Sequence, residues 1–140
     1  MSRYTYLVLD DMPHRHSLFC KRCHGINCYE LAQRYLQENR GYACDSSEFD
    51  THVEHYFTAP QAIVALAQTR YDVVSLDHDL GLDGGGNGMH VVDYICAIKE
   101  PERRPGRVMI HTENWVRGSE MMARLRDANY GDVLRGSLGH

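Results

Sequence analysis

Three short polar runs hold the groups able to do chemistry in this sequence: Asp10-Asp11, Asp77-His78-Asp79 and His111-Thr112-Glu113-Asn114. Each begins where a hydrophobic run stops, after Leu7-Val8-Leu9, Val73-Val74-Ser75-Leu76 and Val108-Met109-Ile110. Carboxylates brought close together repel one another, and the usual relief is a hard divalent cation bound through oxygen. Mg²⁺ or Mn²⁺ on Asp10, Asp11 and Asp77 is the expected outcome. Taken singly, Asp10 or Asp79 would serve equally well as a cap on a following helix or turn; taken together, the acids favour the metal. His78 and His111 titrate in the range that proton transfer requires. Asp79 is suited to orienting a histidine or an outer-shell water. Thr112, Asn114 and the backbone amides of a glycine loop beginning at Gly81 are donors for phosphate oxygens.

These residues need a scaffold that brings three strand ends together. Tyr4 to Leu9 reads as a strand stopped by Asp10-Asp11-Met12-Pro13. His14 to about Arg40 reads as helix, interrupted near Gly25 and Asn27, and Gly41 to Asp50 reads as polar loop. Thr51 to Phe57 carries the β-formers of a second strand. Thr58-Ala59-Pro60 opens a helix with Ala62, Ile63, Leu66 and Ala67 on one stripe. Tyr71 to Leu76 is a nearly continuous apolar strand of the kind buried on both faces of a parallel sheet. Leu80 to Gly88 contains five of the twelve glycines and reads as a loop that admits close approach of a ligand. Met89 to Lys99 is helical, Arg107 to Ile110 is the fourth strand, Ser119 is the expected cap of a further helix, and Asp132 to Arg135 is the last strand. Strand and helix alternate throughout, which predicts a doubly wound, five-stranded parallel α/β sheet formed by one domain over residues 1–140. In such sheets ligands bind beyond the carboxyl ends of the strands, where all three polar clusters fall.

At these residues the chain resembles the receiver domains of two-component signalling, of flavodoxin-like topology. The resemblance places paired acids at Asp10 and Asp11, a phosphoacceptor at Asp77 and a hydroxyl residue at Thr112. Arg135 stands at the position of that family's lysine, and only five residues follow it, so the last helix of the fold is expected to be missing. A closer similarity is to the divergent branch of cyclic-phosphate processing receiver-like domains. The matching runs are Leu9-Asp10-Asp11, Leu76-Asp77-His78-Asp79-Leu80-Gly81 and Ile110-His111-Thr112-Glu113-Asn114. The chain departs from that branch at Trp115-Val116-Arg117-Gly118. The resemblance implies a metal-dependent phosphoesterase acting on a cyclic phosphate or cyclic nucleotide, in a phage or bacterial setting of nucleotide-based immunity. His78, His111 and Asp79 would then be catalytic, Asp10, Asp11 and Asp77 would hold the metal, and Thr112, Asn114, Arg135 and Gly81 would bind substrate. Two other readings of the same residues stay open. Asp77 is a potential phosphoaspartate with Thr112 as switch hydroxyl, and a protein that binds a nucleotide without cleaving it would use the same rim.

A separate group, His14-Arg15-His16 and Cys20-Lys21-Arg22-Cys23-His24-x3-Cys28, has the spacing of a structural zinc site on Cys20, Cys23, His24 and Cys28. Free thiols on an amphipathic helix fit the same spacing. His52 and His55 read as surface or rim residues. Tyr56 and Trp115 are either buried or available to stack on a base.

Composition limits the rest. With 43% hydrophobic and 24% charged residues the chain is globular rather than disordered, and no apolar run approaches a membrane helix. Five cysteines are odd in number and sparse, which argues against a secreted disulfide framework and for a cytoplasmic protein. A net charge of −4 argues against long nucleic acid and for a small nucleotide, although all but Lys21 and Lys99 of the fifteen cations are arginine, the better phosphate binder.

Overall fold

The computed structural model describes residues 4–77, 88–111, 115–128 and 133–136. In chain order the elements are β1 (Tyr4–Leu9), α1 (Pro13–His24), α2 (Tyr29–Gln37), β2 (Tyr42–Ser46), β3 (Thr51–Tyr56), α3 (Ala59–Gln68), β4 (Val73–Asp77), α4 (Gly88–Ala97), a 3₁₀ turn (Pro101–Arg103), β5 (Arg107–His111), α5 (Trp115–Asp127) and β6 (Val133–Gly136). The sheet runs β2-β3-β1-β4-β5-β6. All neighbours are parallel except β2, which pairs antiparallel with β3. The five parallel strands therefore have the doubly wound, flavodoxin-like order, with the reversal of winding between β1 and β4.

Local chemistry accounts for most of these boundaries. Pro13 and Pro60 sit in the first turns of α1 and α3, where a missing amide costs nothing, and the Thr58 side chain accepts from the Gln61 amide at 3.3 Å. The long helical stretch breaks in two because Gly25 takes a left-handed conformation (φ 67°). Asn27 then accepts from Ser17 Oγ at 2.9 Å and from the Tyr29 amide at 3.1 Å. β4 is buried at every position, as a central parallel strand should be.

Two elements differ from expectation. Residues 42–46 are not loop but strand, because Tyr42, Cys44 and Ser46 turn inward while Ala43 and Asp45 face solvent, a period of two inside a run of polar composition. The helix after β5 begins at Trp115 and not at Ser119, so Ser119 lies inside it, and the helix buries Met121 and Leu125.

The sheet is covered on both faces. Leu7, Leu9, Val74, Leu76, Val108 and Ile110 form the main core with apolar side chains of α3, α4 and α5. On the opposite face Val8 and Val53 pack against Phe19 of α1. Since side chains alternate along a strand, Asp77 and His111 share this second face, opposite Leu76 and Ile110. No described helix is long and apolar enough to cross a membrane.

Gly88 marks where α4 comes closest to the strand ends. A Cβ there would meet the Asp77 carbonyl oxygen at 2.5 Å and Met121 Cε at 2.8 Å. Gly88→Ala is expected to cost about 1–3 kcal/mol through overpacking, read as a thermal midpoint lower by roughly 4 °C per kcal/mol.

Candidate functional site

Register sets the site. Leu9 pairs with Leu76, Leu76 with Ile110 and Asp77 with His111, so β1, β4 and β5 end level with one another. Asp10 continues β1 by donating its amide to the Tyr56 carbonyl at 3.2 Å. The consequence is a strand-end cluster in which Asp10, Asp77 and His111 are 1%, 2% and 5% exposed. One carboxylate oxygen from each of Asp10, Asp11 and Asp77 lies within 4.8 Å of the others.

Burial at this place has a price in charge. Asp10 has its pKa pushed up to about 6, chiefly by burial and further by neighbouring Asp11, against the opposing pull of the Met12 amide and Arg15. The Met12 amide donates to Asp10 Oδ1 at 2.9 Å, whereas buried Oδ2 accepts no hydrogen bond among the described residues. An all-oxygen donor set with an unsatisfied buried carboxylate oxygen suits a hard divalent cation.

Arg15 is the residue that motif reasoning missed. Its Nη1 lies 3.4 Å from Asp77 Oδ2 and 3.6 Å from Asp10 Oδ2, so one guanidinium spans both acids. A signal was available: Pro13 begins α1, which puts Arg15 in a first turn where the helix dipole disfavours a cation unless an anion holds it.

His16 was also missed. It is fully buried and Nε2 donates to the Asp10 carbonyl oxygen at 2.8 Å, fixing the backbone of the acidic turn. Burial lowers its pKa to about 4, so the ring is neutral at pH 7. Nδ1 must then be an acceptor, and it lies 2.8 Å from His55 Nδ1.

The remaining sequence candidates fall as follows. His78, Asp79, Gly81, Thr112 and Asn114 lie outside the described residues. The backbone of Arg135 pairs with Ile110 on the outer strand β6, one residue short of His111. Tyr56 is turned toward the main core with its hydroxyl on Glu54 at 2.6 Å. His55 is not a rim residue but wholly buried, because His16 and Cys20 of α1 and the ring of Tyr42 on β2 pack against it. The four ligands expected from helix spacing do not assemble. Cys23 packs against Val8, Phe19 and Val53, and the side chain of His24 is outside what is described. Cys20 and Cys28 instead meet Cys44 and His55.

The sheet order and the acids at its switch point define a receiver-type α/β domain. The profile of the cyclic-phosphate processing receiver domain matches residues 5–127. The chain belongs to that family. Among solved structures it is similar to the receiver domain of a sensor histidine kinase from Pseudomonas aeruginosa, solved with a magnesium ion coordinated in its active site cleft (TM-score 0.53, 16% identity, 96% of this chain and 85% of that one). It is likewise similar to the response regulator TrrA from Thermotoga maritima in complex with Mg²⁺ and BeF (TM-score 0.51, 19% identity, 99% and 90%). A third similar structure is the non-phosphorylated HemR receiver domain from Leptospira biflexa (0.54, 16%, 95% and 82%). At these identities the likeness is one of fold. No protein of curated function matches the sequence.

Two outcomes test this geometry. A divalent cation competes with the Asp10 proton, so Mg²⁺ affinity measured by calorimetry should be level above pH 6 and fall toward tenfold per pH unit below about 6. Arg15→Ala leaves two buried carboxylates without their cation, which should destabilise the metal-free protein by about 1–3 kcal/mol. Added Mg²⁺ should then raise the melting temperature of the variant more than that of the parent.

Proposed function

We propose that this domain is a metal-assisted phosphoesterase that opens a cyclic phosphate, with a small cyclic nucleotide as substrate. The observation that carries the reading is His111. A buried imidazole stands in register with Asp77, one of the three clustered carboxylates, which supplies a proton-transfer group where a metal site alone would suffice for phosphoaspartate chemistry. The family profile, described as cyclic-phosphate processing, supports the same reaction class.

Asp10, Asp11 and Asp77 would hold Mg²⁺ or Mn²⁺, which when bound polarises the phosphoryl oxygens and lowers the pKa of coordinated water. His111 takes a proton from the attacking water or returns one to the departing ring oxygen through an imidazole nitrogen. His78 and Asp79 follow Asp77 directly in the chain and complete the proton path, with His78 as partner to His111 and Asp79 orienting an imidazole. Thr112, Asn114, Gly81 and Arg135 are assigned to binding the phosphate and the rest of the substrate. Water adds to phosphorus, the ring P–O bond breaks, and the product is a linear phosphate ester. Arg15 holds Asp77 and Asp10 together.

Incubation of the purified protein with Mg²⁺ or Mn²⁺ and a panel of cyclic mono-, di- and trinucleotides and 2′,3′-cyclic phosphates, followed by mass spectrometry, is the direct test. The expected result is a linear product that disappears with EDTA, with Asp77→Ala and with His111→Ala, the last by about 10²–10⁴-fold. Unchanged turnover in His111→Ala would remove the proton-transfer role. Nucleotide recovered intact from a tight complex would identify a binding protein, and uptake of phosphate from a small phosphodonor on Asp77 would identify a phosphoacceptor.

A further inference from the structure

The connection between β1 and β3 carries α1, α2 and β2, and it encloses a second cluster on its own account. Cys20 comes from α1, Cys28 immediately precedes α2, Cys44 is the central residue of β2 and His55 lies on β3. All four are buried, and their ligand atoms lie within 4.8 Å of one another. A tetrahedral zinc with Zn–S bonds of about 2.3 Å has S–S edges of about 3.8 Å, so this spacing needs little closure.

The hydrogen bonds around the cluster prepare it for a metal. Neutral His16 donates from Nε2 to the Asp10 carbonyl, so its Nδ1 accepts the Nδ1 proton of His55. That fixes the His55 tautomer and leaves the Nε2 lone pair facing Cys20 Sγ at 3.1 Å. A metal-bound histidine with its other ring nitrogen held by a fixed acceptor is the arrangement that orients such ligands. The Tyr42 ring stacks on His55 at 4.5 Å, and its hydroxyl is 3.1 Å from Cys28 Sγ, in place to donate to a thiolate.

Packing alone gives this region little hold. The buried members of the local core are Cys20, Cys28, Ala32, Tyr42, Cys44 and Phe57, with Ile26 and Tyr35 partly buried against them and no buried leucine, isoleucine or valine in the cluster. Thiol–thiol contacts are weak, and a small core of this sort is commonly stapled by a metal.

We infer that Cys20, Cys28, Cys44 and His55 form a structural Cys₃His zinc site that fastens α1, α2 and β2 to the edge of the sheet. This site is independent of the phosphoesterase reading and shares no ligand with the acidic cluster. Sulfur and imidazole select zinc, whereas the all-oxygen cluster selects magnesium or manganese, so both metals are sorted by donor type.

The test is elemental analysis of the full chain purified without chelators from zinc-supplemented cells. About one zinc per chain is expected. Cys44→Ser and His55→Gln should lose it, while Cys23→Ser should retain it. Should those variants fail to fold, the parent protein still decides: a thiol reagent should modify Cys23 and Cys96, the two partly exposed cysteines, and reach Cys20, Cys28 and Cys44 only after a zinc chelator is added. Zinc well below one per chain, with thiol reactivity indifferent to the chelator, would overturn the site. Loss of zinc in Cys23→Ser as complete as in Cys44→Ser would return the ligands to the spacing along α1.

Discussion

Two carboxylates buried side by side at the switch point of the sheet are the constraint around which the rest is arranged. Asp10 and Asp77 end adjacent parallel strands at 1% and 2% exposure, where charge is expensive and mutual repulsion is poorly screened. The fold answers with a cation from the side, Arg15, and an amide from below, that of Met12. Asp10 nevertheless retains a raised pKa and an unsatisfied oxygen. An apolar pair in the same place would carry no such charge penalty.

The acidic turn is held from behind as well. His16 clamps the Asp10 carbonyl, His55 clamps His16, and Cys20 with its neighbours surrounds His55. One hydrogen-bonded line therefore runs from the Asp10 backbone carbonyl to the thiol cluster that includes Cys44 of β2. The inserted α2 and β2 cover that line from solvent, which explains why a domain otherwise built of alternating strands and helices carries an antiparallel strand at one edge.

A receiver-type sheet hosts more than one chemistry, so the reaction must be argued from the groups at its rim. The fold is shared with receiver domains solved with magnesium. Beside the acids stands an imidazole, His111, buried at the end of β5, and His78 follows Asp77 in the chain. An imidazole can accept and return a proton at a ring nitrogen, a need of ester hydrolysis more than of phosphoryl capture on a carboxylate.

Local pattern determined much of this protein. Apolar runs ending in Asp10, Asp77 and His111 marked three strand ends, Pro13, Gly25 and Pro60 marked helix limits, and alternation of strand with helix led to the doubly wound sheet. Each of these is encoded within a few residues by backbone preference and hydrophobic period. The short motifs around Asp77 and His111 likewise carried the family. Tertiary structure alone decided which distant groups meet. The alternating Tyr42-Ala43-Cys44-Asp45-Ser46 is too polar to read as a strand until β3 supplies its partner. Arg15 gains its role from Asp77, sixty-two positions away, and Cys20 finds His55 and not Cys23 because packing of α1 on the sheet sets one cysteine against His55 and the other against Val8 and Val53. Spacing along a chain reports neighbours within an element; only the packing of one element on another brings together ligands that the sequence keeps apart.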